Sequence, residues 1–359
     1  MDCRSCRLVV AGLLLAAGPV AAATLHVPGD HPDVTSALAA AAAGDSVVVA
    51  PGTYFEHDLV LPSGVTLRGA TDEPADVVID AQRLGRCIYG ADLDAATRIE
   101  GLTLRNGLPA WGSTPHNSWG AGLMVDGGAL TVANCVFAAN ETAVGGGAFV
   151  TGFGSPTFVD CVFDGNSATE VAGLLLGGNC DPVVRGCTFR DGKLIMTGGA
   201  LTWLGSGRAL FENCRVENNT VLETGGGVEV LNARAVAVLR SCAITGNSAR
   251  YGGGGLYVGN GGHAILETCT IVGNSAGEYG GGVTLDYGSV LEATESSIRD
   301  NEAPRGADGD VSVQAAATLR CCDVDTTAWA VRGSLVIDDE GCGIPVEPAT
   351  WSGLKARFR

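Results

Sequence analysis

The chain has 359 residues, with 39 acidic against 22 basic side chains and a formal net charge of −17. That acidity excludes binding to nucleic-acid phosphates and to anionic membrane surfaces, and it favours solubility. A chain this long is unusual for one compact core but natural for a solenoid, and 54 glycines with 6% aromatic residues suit thin, stacked coils.

Residues 1–23 read as a secretory signal. Arg4 and Arg7 form its basic start, residues 8–17 an apolar stretch, and Ala21, Ala22 and Ala23 a cleavage site. The apolar stretch is too short to span a membrane. Cleavage would remove Cys3 and Cys6, and no cysteine stands at Thr24, which disfavours a lipid anchor. Residues 25–27 read as a strand. Asp33 or Thr35 can cap a short alanine helix that runs through Ala43 and ends at Gly44. Strands follow at 46–50, 65–67, 77–79 and 99–104. An expanded loop then interrupts the pattern at 105–120 and carries Trp111, His116 and Trp119.

From Cys135 the chain repeats itself. Cysteines at 135, 161, 187, 214, 242 and 269, then Ser296 and Cys322, are spaced by 26, 26, 27, 28, 27, 27 and 26 residues. Five residues after the marker stand Asn140, Asn166, Asn219, Asn247, Asn274 and Asn301, with Gly192 and Thr327 breaking the row. Each repeat also contains a small-residue cluster followed by a short run such as Leu174-Leu175-Leu176 or Val228-Glu229-Val230. The outer residues of that run are apolar in every copy and the middle one varies, so the outer pair faces a core and the middle residue faces out. The runs are β-branched and aromatic, without a helical stripe. Short strands in 26–28 residues, turned by glycine and asparagine, make one coil of a parallel β-helix. Stacked coils predict rows of buried thiols and a ladder of asparagine amides. They also predict alternating ion pairs in two series: Arg185, Glu212, Arg240, Glu267 and Asp164, Arg190, Glu217. From Gly306 the pattern fades, through a last coil and a further strand near 334–337.

These residues carry a resemblance. Cys161-Val162-Phe163 with Asn166-Ser167-Ala168, and the equivalent groups at Cys242 and Cys269, resemble the right-handed parallel β-helix (pectin lyase-like) superfamily, and more closely its bacterial secreted repeat proteins. The segment 34–54 resembles that superfamily's N-terminal cap. The resemblance covers most of 24–335. It implies an all-β, single-stranded right-handed parallel β-helix solenoid of about ten coils with an N-terminal capping helix. The domain plan is a signal at 1–23, the β-helix at 24–335 with its cap at 24–56 and expanded loop at 105–120, and a C-terminal cap or tail at 336–359.

Function is less legible. The cysteine row lacks the paired C-x-x-C spacing of zinc sites and reads as buried packing, so no metal is expected. Cys321 with Cys342, and Cys87 with Cys180, are open as disulfide pairs. Superfamily hydrolases carry aspartates on adjacent coils, and the lyases carry calcium-binding aspartates with a basic residue. Neither Asn-Thr-Asp nor Gly-His-Gly, nor Arg-x-Pro-x-x-Arg, is found in the repeats, and the Asp-Asp pair 338–339 lies beyond them. The expectation is therefore a secreted or cell-surface monomer binding extracellular polysaccharide or envelope glycan, with no cofactor. Trp111, His116 and Trp119 are its candidate binding residues, because insertions in repeat folds gather on one face. The alternative is a lyase or hydrolase of acidic, uronate-containing polysaccharide, with Ca²⁺ only in the lyase case and no catalytic residue assigned; activity lost on Glu212→Gln or Arg240→Ala without loss of folding would favour it.

Overall fold

The structure is a computed structural model and describes residues 21–110, 118–194, 196, 198–340 and 342. Positions about 27 apart are vertical neighbours. Val136 pairs in parallel with Val162, and the same register passes up through Thr188, Arg215, Ala243, Thr270 and Ser297. One coil shows the plan. Leu174–Leu176 belongs to a front sheet, Val183–Arg185 to a side sheet, Thr188–Arg190 to a back sheet and Lys193–Leu194 to a narrow sheet. Among the described residues these sheets hold 11, 13, 11 and 6 strands, all stacked in chain order. Such order leaves each strand between the ends of its sheet to pair with the coil above and below, at about 4.8 Å.

The interior is a set of columns. The rings of Phe137, Phe163 and Phe189 stack with centroids 4.6 and 4.7 Å apart, and Val216, Ile244, Ile271 and Ile298 continue the column. The marker thiols lie beside it, buried, with Cys161 donating to the Val159 carbonyl at 3.3 Å. Burial pushes the Cys135 thiol up to about 12, so it is neutral packing and not a nucleophile.

The asparagine ladder forms as expected. Asn219, Asn247 and Asn274 each donate their side-chain amide to the next carbonyl oxygen, at 2.9–3.0 Å. Its two breaks are bridged. At Gly192 the backbone N–H reaches Asn219 Oδ1 at 2.9 Å, and at the far end Asp308 Oδ1 accepts from Asn301 in place of Thr327. Of the charge series, the first forms fully: Arg185 meets Glu212 at 2.6 Å, and Arg240 meets both Glu212 (3.5 Å) and Glu267 (2.7 Å). The second forms only between Arg190 and Asp164, at 2.7 Å. Glu217 pairs with Arg215 on its own strand instead, because residues two apart share a face.

At the N-terminal end the capping helix is shorter than expected. It spans Val34–Ala40, capped by Asp33, which accepts from Ser36 N at 2.8 Å. Ala41 is extended, and Asp45 draws the Ala42 N–H to its own carboxylate at 2.9 Å, so the helix stops before Gly44. Val34, Ala37 and Leu38 are buried over the open end of the core. At the other end the fading pattern still gives regular strands through Ser334–Asp338, and a Cys321–Cys342 disulfide (Cα–Cα 5.3 Å) ties down the last turn. Cys87 and Cys180 are free.

Candidate functional site

The middle residues of the front-sheet runs form one outward row. In register it reads Tyr89, Met124, Phe149, Leu175, Thr202, Glu229, Tyr257, Thr284, Asp310. The sequence reading turned this row toward solvent. The structure keeps it on the outer face but covers much of it: Phe149 is 9% exposed, Leu175 2%, Glu229 3% and Asp310 1%.

The cover is the bend between the narrow and front sheets. Four residues before each row member from Met124 to Asp310 stands a residue of positive φ, such as Gly225 (+80°) before Glu229 and Gly253 (+65°) before Tyr257. A Cβ on Gly225 would lie 3.3 Å from the Glu229 Cβ, so the turn folds back over the row. Val171 holds the same place with φ +57°, a costly conformation for a β-branched residue, and is buried with Met124, Phe149 and Leu175.

The corner has two halves. The lower is apolar: Met124, Phe149, Val171 and Leu175 form a separate cluster outside the main core, with Tyr89, Trp119 and Val144 packed on it. Trp119 meets Phe149 edge-on at 5.4 Å. Its backbone carbonyl accepts from Arg86 Nη2 at 2.8 Å, which fixes this end of the expanded loop. The upper half is polar. Tyr257 donates to Asp286 at 2.9 Å, and burial raises its pKa. Asp310 is held between Arg305 (2.5 Å) and Arg332 (3.1 Å), and the Arg305 guanidinium lies 4.9 Å over the Tyr279 ring. Between the halves sits Glu229. Among the described residues it has no ion pair or hydrogen-bond partner. Burial, with the charge of Glu170 added, pushes its carboxyl up to about 8.

A sequence-family model described as "Right handed beta helix region" matches residues 172–347. The chain is a right-handed parallel β-helix protein. Among solved structures it is similar to the periplasmic alginate epimerase AlgG, at 12% identity over 82% of this chain and 76% of that one, with a TM-score of 0.34. It is similar to the catalytic unit of a thermostable GH87 α-1,3-glucanase from Streptomyces thermodiastaticus strain HF3-3, at 13% identity over 88% and 68%, TM-score 0.41. It is also similar to a family 28 exopolygalacturonase from Yersinia enterocolitica, at 12% identity over 90% and 79%, TM-score 0.38. At such identities the likeness is one of fold. No curated protein matches the chain.

Of the residues singled out from the sequence of this β-helix protein, Trp119 lies at the apolar end of the corner, while Trp111 and His116 lie outside the described residues. Glu212 and Arg240 belong to the ion-pair column of the side sheet, away from the corner. Sequence reasoning passed over Glu229, Tyr257 and Asp310, although a signal was there: the middle position changes from apolar below Leu175 to polar above it. No helix among the described residues is long and apolar enough to cross a membrane.

Proposed function

We propose that the protein binds polysaccharide along the front-sheet corner, outside the cytoplasm, as the reading of 1–23 as a secretory signal implies. The observation that carries this is the row itself. Apolar and aromatic side chains from Tyr89 to Leu175, with Trp119 packed on them, give way past Thr202 to hydrogen-bonding groups at Glu229, Tyr257 and Asp286, along the stacking axis. A sugar offers the same pairing, an apolar C–H face rimmed by hydroxyls, and a polymer of sugars matches a row that repeats about every 4.8 Å. Trp111 and His116 are proposed to join Trp119 at the lower end.

The test is titration of the protein with neutral, acidic and basic oligosaccharides. Trp119→Ala and Tyr279→Ala are each expected to weaken the preferred oligomer about tenfold without loss of folding, the scale of one stacked ring. Unchanged affinity in both variants contradicts the assignment. A second reading, a hydrolase, is favoured by one feature: a carboxyl that keeps its proton near neutral pH is suited to general acid work. New reducing ends from the bound oligomer, lost in Glu229→Gln, would support it.

A further inference from the structure

A buried carboxyl without a partner is costly, and folded chains rarely keep one without a use. Glu229 is such a group, 3% exposed, facing the corner, with no hydrogen bond among the described residues. Its surroundings are one-sided. Glu170 adds a second negative charge, and the neighbouring Tyr257 hydroxyl is turned onto a further carboxylate, Asp286. Higher in the stack, Arg305 and Arg332 are both engaged by Asp310. Rings at this bend take cations: Tyr279, packed over Gly252, carries Arg305 at 4.9 Å, and Tyr251 carries Arg250 at 5.3 Å. Acceptors, negative charge and aromatic faces are what an ammonium group seeks, whereas a carboxylated sugar would be repelled here.

We propose that the corner formed by Glu229, Glu170, Tyr257 and Tyr279 is a subsite for a protonated primary amine on the bound glycan, that is, for a hexosamine residue whose amino group is free. The proposal rests on the front-sheet corner being the glycan site and names the sugar that its polar half selects. Binding places an alkylammonium against the Glu229 carboxyl. The carboxyl gives up its proton to solvent, or to the amine if that arrives neutral, and an ion pair replaces a buried neutral carboxyl and a solvated ammonium. The Tyr257 hydroxyl stays on Asp286, so Asp286 adds charge rather than a direct contact.

The experiment compares a glucosamine hexamer with its fully N-acetylated counterpart, a galacturonate hexamer and a neutral glucan hexamer, by calorimetry at pH 7 and physiological salt. The glucosamine hexamer is expected to bind at least tenfold more tightly than the N-acetylated one. Glu229→Gln, which keeps the shape and removes the titrating group, is expected to abolish that preference. Glu295→Gln, at the exposed corner between the side and back sheets, is expected to retain it, which separates the subsite from the bulk negative charge. Equal or tighter binding of the N-acetylated or galacturonate hexamer overturns the amine subsite while leaving the glycan corner standing. A preference that survives in Glu229→Gln overturns it too. Failure of all four hexamers to bind overturns both.

Discussion

Glu229 and Leu175 occupy equivalent places two coils apart, yet one is a buried acid and the other closes an apolar cluster. Because folding raises the Glu229 pKa from the ordinary glutamate range to about 8, the folded chain holds a proton there that the unfolded chain releases. The stability that depends on this proton is complete below the unfolded pKa and is lost as pH rises toward 8. The loss is at most about 5 kcal/mol, since each pKa unit is worth about 1.4 kcal/mol. The melting temperature of the wild type should therefore fall between pH 5 and pH 9 more steeply than that of Glu229→Gln; parallel curves would show that the carboxyl is not buried as described. Two other side chains calibrate the ladders. Asn247 accepts from Asn219 and donates to both the Val216 carbonyl and Asn274, all buried. Asn247→Ala strands several of these groups and should cost about 3 kcal/mol or more in denaturant unfolding. Arg240→Ala removes two partly exposed ion pairs, to Glu212 and Glu267, and should cost about 1 kcal/mol or less.

The turn between the narrow and front sheets is the element on which the site depends. Its left-handed residue brings the chain back over the front row, so a side chain there trades backbone strain against closure of the corner. Gly225→Ala should destabilise the fold by about 1–2 kcal/mol, because φ near +80° disfavours a Cβ. It should also weaken glycan binding, because the new methyl crowds Glu229. Unchanged affinity would indicate that the ligand does not approach from that side. This element also marks where the sequence stopped being legible. The glycine clusters were visible and their need for positive φ could be read, as could the alternation that sends the middle residue outward. Which way the chain bends after the turn depends on the angle between two sheets, and no local pattern encodes that angle. So Glu229 read as an exposed, replaceable position. The helix end was misread for a similar reason: alanine propensity continues to Ala43, but Asp45, brought in by the next strand, captures the Ala42 N–H.

At the scale of the molecule, the spacing of the marker residues carried nearly all of the architecture, since one register repeated up the stack generates every sheet. The Phe163, Cys161 and Asn166 columns follow from that spacing alone. What it could not carry is chemistry: identical coils present different side chains, and the change from an apolar to a polar front row follows no rule of the repeat. A solenoid is stabilised by neighbour contacts, so its ends are its weak points. Cys321→Ser should raise amide exchange in Ser334–Asp338 and leave the coils between Val162 and Ser275 protected; loss of protection throughout would mean that the stack unfolds as a unit. The most direct measurement of the whole account is hydrogen exchange with and without the tightest-binding oligosaccharide. Protection is expected along the front row from Met124 to Thr284 and in the turns that fold over it, with none on the Arg185–Glu212–Arg240–Glu267 column. Protection confined to that column, or to the back sheet, would contradict the placement of the site.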